Sequence, residues 1–163
     1  MCSTAQERRC GKQGVAGEWI VGYTKCEMMA RAIEEIEHTA DWAIRVRGRD
    51  LEELFVNAAL GMATLMADPQ EIEPGIERQV DLEEYDTEAL LVSWLSELLW
   101  FNEESDAVFV RFEIKELTQT RLQATVWGGL TASQWKHIKA VTFHDLEIIK
   151  ADDGYEVTVV FDV

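Results

Sequence analysis

Two acids stand out by where they lie. Asp41 interrupts the run "EHTADWAI" (Glu37 to Ile44) just where apolar residues begin to alternate, and Asp162 stands one residue before Val163 in "FDV". Each has an ordinary explanation. A strand-end aspartate turns its carboxylate onto its own backbone, and an acid near a chain end is solvated. Taken together they admit a second chemistry. If the last strand pairs near the first, the two carboxylates meet, and two like charges at one site are costly unless a cation lies between them. Oxygen-only ligation of this kind suits calcium or magnesium, whereas zinc favours nitrogen or sulfur. Other chemistries lack their residues. The sequence contains no G-x-x-x-x-G-K-[ST], G-x-G-x-x-G, G-x-S-x-G or H-E-x-x-H motif, which removes the common nucleotide-binding, serine-hydrolase and zinc-protease classes. His38, His137 and His144 share no metal-ligand spacing, and no nucleophile–base pair is evident. A lone histidine is more often a packed or surface residue than a ligand, so the residues do not support an independent catalytic activity.

The elements that must position Asp41 and Asp162 can be read from periodicity. "WAIRVRG" (Trp42 to Gly48) alternates Trp42, Ile44 and Val46 against Ala43, Arg45 and Arg47, as a half-buried strand does. Asp50 offers an N-cap, with Glu53 three residues on completing a capping box. Leu51, Leu54, Phe55, Ala58, Ala59, Met62, Leu65 and Met66 then follow at helical spacing, which makes the methionines core packing rather than ligands. "DPQEIEPG" carries both prolines and is the main loop, and "IERQVDLEE" reads as a strand. A second helix opens near Asp86, with Leu90, Leu91, Trp94, Leu95, Leu98 and Leu99 as its apolar face and Glu88, Glu97, Glu103 and Glu104 solvated off it. "AVFVRFEIKEL" and "TRLQATVWGG" form a hairpin through Leu117–Thr120. "AVTFHDLEIIKA" and "YEVTVVFDV" form another around Asp152-Asp153-Gly154. Two helices among six or seven hairpin-joined strands predict an α+β fold: a largely antiparallel sheet with both helices packed on one face, in a single compact domain.

The bulk numbers restrict the partners. A chain of 163 residues, 47% hydrophobic and 28% charged, suits one globular domain. No apolar run approaches the roughly 18 residues of a membrane span, so a soluble protein with no membrane partner is expected. The formal charge of −16 repels polyanions and argues against strong direct nucleic-acid binding. A basic protein partner or a divalent cation fits that field. Cys2, Cys10 and Cys26 form neither a disulfide framework nor a zinc site, which fits a reducing compartment: the cytoplasm, or the nucleus in a eukaryote. Residues 1–32 hold five Lys or Arg against three Glu, whereas residues 33–163 hold ten against twenty-eight acids, a charge of −18. The first 32 residues show no periodicity and no secretion-type apolar core. With Met28-Met29 standing just before the ordered pattern, residues 1–32 are expected to be a poorly structured extension, a dispensable tail or the product of a misplaced start codon. Residues 33–163 are expected to be the folded domain.

Several motifs follow one another in order along that domain: "IEHTADWAIRVRG", "DLEELFVNAALGMATLM", "ALLVSWLSELLW", "IKAVTFHDLEI" and the final "FDV". In this combination the chain resembles the archease family from about Ile33 to Val163. The resemblance implies a small acidic accessory protein, not an enzyme, that promotes guanylylation and multiple turnover of the GTP-dependent tRNA-splicing RNA ligase. It implies a metal site on Asp41, Asp162 and, through a backbone or terminal oxygen, Val163. The ion would be calcium, with magnesium or manganese as alternatives. It also implies that Lys139 in "IKAVTFH" is needed, with Asp41 and Asp162, to activate the ligase; the residue pattern alone makes Lys139 only a strand-edge charge. The family pattern does not require the N-terminal extension. An alternative of another class keeps the same residues. The acids could form an electrostatic docking patch on a general chaperone or protein-binding modulator. A metal-dependent hydrolase of small phosphate esters is a third reading.

Overall fold

The protein is described here from a computed structural model, which describes residues 32–37, 41–131 and 135–163. Of the expected extension over residues 1–32, residues 1–31 lie outside the described residues, as does His38. In chain order the elements are β1 (Ile33–Glu37), β2 (Trp42–Gly48), α1 (Leu51–Met66), a 3₁₀ turn (Pro69–Glu71), β3 (Ile76–Glu83), α2 (Thr87–Ser105), β4 (Ala107–Leu117), β5 (Arg121–Leu130), β6 (Ala140–Thr142), β7 (Ile149–Ala151) and β8 (Gly154–Asp162). Every strand pair is antiparallel.

The α+β class holds, with one difference. The strands divide between two sheets, a five-stranded one ordered β1-β2-β8-β6 with β7 also on β8, and a three-stranded one ordered β3-β5-β4. Alternation identifies a strand but not its partner, and the chain changes sheets between β5 and β6. The helices serve both sheets: α1 packs against β2 and β8 as well as β4, and α2 against β3, β4, β5 and β6. Among the described residues no helix is long and apolar enough to cross a membrane.

Local chemistry explains the helix ends. Asp50 accepts from the Glu53 N–H at 2.8 Å, as a capping residue should. Glu53 reaches back to the N–H of Arg49 at 2.7 Å, one residue earlier than the expected box, and also takes the Arg49 guanidinium at 2.9 Å. Asp86 caps α2 through the Ala89 N–H at 2.7 Å. That helix stops at Asp106, whose φ of 51° is the left-handed conformation that ends many helices.

Both predicted helical stripes are in the core, Met62 and Met66 included. Trp94, fully buried, joins three elements. Its indole N–H donates to the Phe55 carbonyl of α1 at 3.1 Å, and its ring stands edge-on to Phe112 of β4 at 5.8 Å. At Gly61 any Cβ would press on the side chains of Ile44 and Ile33, so α1 lies tight against β1 and β2. Ala43, on the expected outward face of β2, is also buried because it lies between Ile36 and Val160 of the two flanking strands.

The last hairpin differs in detail. β7 and β8 turn through Asp152-Asp153-Gly154, with Gly154 at a φ of 147° that other residues rarely adopt. The long strand expected before it is split into β6 and β7. Between them the Leu146 N–H closes a turn on the Phe143 carbonyl at 3.2 Å, with Asp145 at φ 50°. Glu88 of α2, expected to be merely solvated, is half-buried and accepts the Ile148 N–H at 3.3 Å, tying this loop to the helix.

Candidate functional site at the end of the five-stranded sheet

On β8 Val157, Val159 and Phe161 share one buried face. Val160 on the other face is covered between Ala43 and Thr142 of the flanking strands, and Asp162, the last residue of the strand, is exposed. On one side Trp42 of β2 pairs with Phe161, so Asp41 stands one position beyond that pair, where Asp162 follows Phe161 on the other strand. On the other side Ala140 of β6 pairs with Asp162, and the Lys139 N–H donates to the Asp162 carbonyl at 2.8 Å. The Lys139 ammonium donates to the Val163 carbonyl at 3.2 Å. The topology therefore brings Asp41, Lys139, Asp162 and Val163 to one end of one sheet. His137 and His144 are exposed and take no part in this set.

Lys139 is delivered by a segment fastened at several points. The Trp135 N–H donates to the Met66 carbonyl at 2.7 Å, the Lys136 ammonium lies over the Trp42 ring at 2.7 Å from its centroid, and Ile138 is buried. A cation over an indole face is a favourable contact. It links this segment to the strand whose head carries Asp41.

Asp41 and Asp162 are both exposed, and neither carboxylate has a hydrogen-bond or ion-pair partner among the described residues. Elsewhere on the same sheet Glu34 and Glu156 are paired with arginines. Glu156 accepts from Arg47, and that hydrogen bond, with the attraction of the two charges, holds the guanidinium pKa above its ordinary value. Two carboxylates and a carbonyl oxygen are hard donors of the kind calcium and magnesium take, so the residues fit such an ion. Among the described residues no three His, Cys, Asp or Glu side chains gather as a metal cluster. The side chains therefore offer fewer donors than the six to eight calcium takes, so an ion held there would need further oxygens from water or a partner. A carbonyl oxygen has two lone pairs, so Val163 can accept from Lys139 and still face a cation.

One feature near the tip has no counterpart in the expected site. A groove of about 180 Å³ runs between α2 and β6, lined by Ser96, Leu99, Trp100 and Glu103 on the helix, by Ala140 and Val141 on the strand and by Lys139 just before it. Its sequence signal is Trp100, a large aromatic just outside the apolar stripe of α2, 53% exposed.

This architecture defines a class, an acidic α+β domain with unpaired hard-oxygen donors at the end of a sheet. Within that class the chain belongs to the archease family: the archease protein family (MTH1598/TM1083) matches residues 33–163. Curated relatives called protein archease include one from Methanosarcina mazei, 35% identical over 138 residues, which span 80% of this chain and 94% of the relative. Another, from Thermococcus gammatolerans, is 41% identical over 132 residues, covering 76% and 92%. Among solved structures, the solution structure of Methanobacterium thermoautotrophicum protein 1598 is similar with a TM-score of 0.69 and 33% identity, over 82% of this chain and 99% of that one. A crystal structure of an archease, possible chaperone, from Thermotoga maritima has the same fold at a TM-score of 0.60 and 23% identity, over 80% and 96%.

Proposed function

We propose that this protein is a non-catalytic activator of the GTP-dependent tRNA-splicing RNA ligase, promoting its guanylylation and multiple turnover through the tip that carries Asp41, Lys139 and Asp162. The reading rests on family membership together with one observation, the convergence of those three residues and Val163 at the end of β8. Asp41, Asp162 and the Val163 carbonyl would hold a divalent cation, calcium in the first instance and magnesium or manganese in its place. When bound, the ion supplies positive charge that can meet the phosphates of a nucleotide. The chain's own residues do the rest. The pairing of β2 with β8 brings the two acids to the same end of the sheet, one residue beyond the Trp42–Phe161 pair, and Lys139 adds a second cationic group on the same edge. A net charge of −16 sends the protein toward a basic enzyme and away from bare RNA.

The test is guanylylation of a cognate ligase with labelled GTP. Wild type should stimulate, whereas Asp41→Ala, Asp162→Ala and Lys139→Ala should lose stimulation while keeping their fold by circular dichroism. Full stimulation by either aspartate variant would remove the tip from the mechanism. The second reading, a general chaperone with an acidic docking patch, draws on exposed apolar side chains such as Tyr85, Trp100, Leu130, Phe143 and Ile149. Suppression of aggregation in unrelated clients, unchanged by chelators, would favour it.

A further inference from the structure

We propose that the groove between α2 and β6 seats an arginine side chain presented by a basic protein partner. Ser96, Trp100 and Glu103 lie four and three residues apart, so they share one face of α2. Trp100 and Glu103 are both exposed there, and Glu103 has no hydrogen-bond or ion-pair partner among the described residues. An indole face beside a free carboxylate is a receptor for a guanidinium, which is planar, stacks on aromatic rings and bonds carboxylates in a fixed fork. Leu99 and Val141, both buried, make an apolar floor for the methylene stem. A groove of about 180 Å³ has room for one long side chain and little more. Lys139 also lines the groove, but its ammonium turns to the Val163 carbonyl. A second cation entering the groove is therefore directed to Glu103.

The charge of the whole chain points the same way. At −16 it draws cationic surfaces and repels phosphates, which favours arginine on a protein over a nucleic-acid ligand. The groove and the tip share Lys139, so a partner held by its arginine here is brought against Asp41 and Asp162. In that respect the inference rests on the proposed function and extends it: the tip acts on the partner, and the groove holds it.

The first experiment needs no ligase. The Trp100 indole resonance of the full chain, assigned with Trp100→Phe, is followed by NMR during titration with N-acetyl-Gly-Arg-Gly-amide and with its lysine and citrulline counterparts. The arginine peptide should shift it saturably in the millimolar range, the lysine peptide less, and the uncharged citrulline peptide not at all. Glu103→Gln should weaken arginine binding about tenfold, the value of one charge-assisted hydrogen bond. No shift at Trp100, an equal shift with citrulline, or undiminished affinity in Glu103→Gln would each overturn the assignment.

The second experiment separates the groove from the tip. With a cognate ligase, Trp100→Phe and Glu103→Gln should raise the concentration needed for half-maximal stimulation about tenfold at an unchanged plateau. The tip variants outside the groove, Asp41→Ala and Asp162→Ala, should lower the plateau itself. If wild type binds the arginine peptide but never stimulates the ligase, the groove stands and the proposed function falls. If the groove variants stimulate at the wild-type concentration, the groove falls and the proposed function stands.

Discussion

The outer face of the three-stranded sheet and the end of the five-stranded sheet are both acidic, and they treat their acids in opposite ways. On the three-stranded sheet Glu77 accepts from the Trp127 indole N–H at 2.9 Å and from the Gln79 amide at 3.1 Å. The Gln79 oxygen accepts from the Thr125 hydroxyl at 3.0 Å. Arg121 and Gln123 both donate to Asp81, and the Arg111 guanidinium lies 4.7 Å over the Trp127 ring. The body of the five-stranded sheet is similarly closed, with Arg45 between Glu34 and Glu156 and Arg47 on Glu156. Single acids such as Glu35, Glu83 and Glu113 stand outside these pairs, but past the Trp42–Phe161 pair both acids, Asp41 and Asp162, are without partners among the described residues. Composition does not mark the difference, since acids dominate both places. The difference lies in whether a cross-strand neighbour can answer the charge. Where none does, the carboxylates are free to take a cation from outside.

The largest effect expected is at the base of the tip. Phe161 is fully buried where β2, β8 and β6 meet, paired with Trp42 on one side and Val141 on the other. Phe161→Ala should cost about 3–5 kcal/mol, the usual loss for emptying a buried aromatic site, measured by urea unfolding. A loss under about 1 kcal/mol, within the range of surface changes, would mean that the acids sit on a loose end and not on the core. The closed ladder should respond less. In Glu77→Ala the Trp127 indole N–H and the Gln79 amide lose their acceptor on a partly solvated surface. A loss of about 1 kcal/mol is expected, read in the same urea series. If Glu77→Ala were silent, the ladder would be a geometric pattern without energetic weight, and the contrast with the tip would fail.

The parts of this arrangement were unequally legible in the sequence. The two helices were readable to their caps, because an apolar stripe of period 3.6 and an aspartate before it are local signals. Asp41 and Asp162 could be singled out as a pair on the supposition that the last strand returns beside the first, and β2 and β8 do lie together. Lys139 carried no signal of its own, because its place follows from the antiparallel pairing of β6 with β8 and from the fastened segment 135–139. The division into two sheets was hidden for the same reason. The splitting of the long strand at Phe143–Ile148 was hidden too, since Glu88, which holds that loop, lies 60 residues away in sequence. Trp100 and Glu103 were visible as off-stripe residues of α2, but a groove needs a second wall, and β6 supplies it. Local periodicity writes elements; the partners of those elements are written only in the packed chain.

The smallest effect is the most discriminating. Asp162→Asn removes one of two unpartnered like charges and breaks no hydrogen bond of the side chain among the described residues. In cation-free buffer its stability should stay within about 0.5 kcal/mol of wild type, on the stabilising side if the two acids repel. Adding calcium should then separate the proteins. A ligand that binds only the folded state stabilises it by RT ln(1 + [L]/Kd), about 1.4 kcal/mol at ten times Kd. Wild type should gain that amount as a rise in Tm, and Asp162→Asn should gain little of it. The alternative is a variant that loses stability without calcium and rises with it as wild type does. Asp162 would then be a structural partner like Glu77, and the two regions would differ in exposure alone. The same titration with magnesium orders the ions. A flexible donor set completed by water favours calcium, because magnesium demands near-octahedral ligands and gives up its own waters reluctantly.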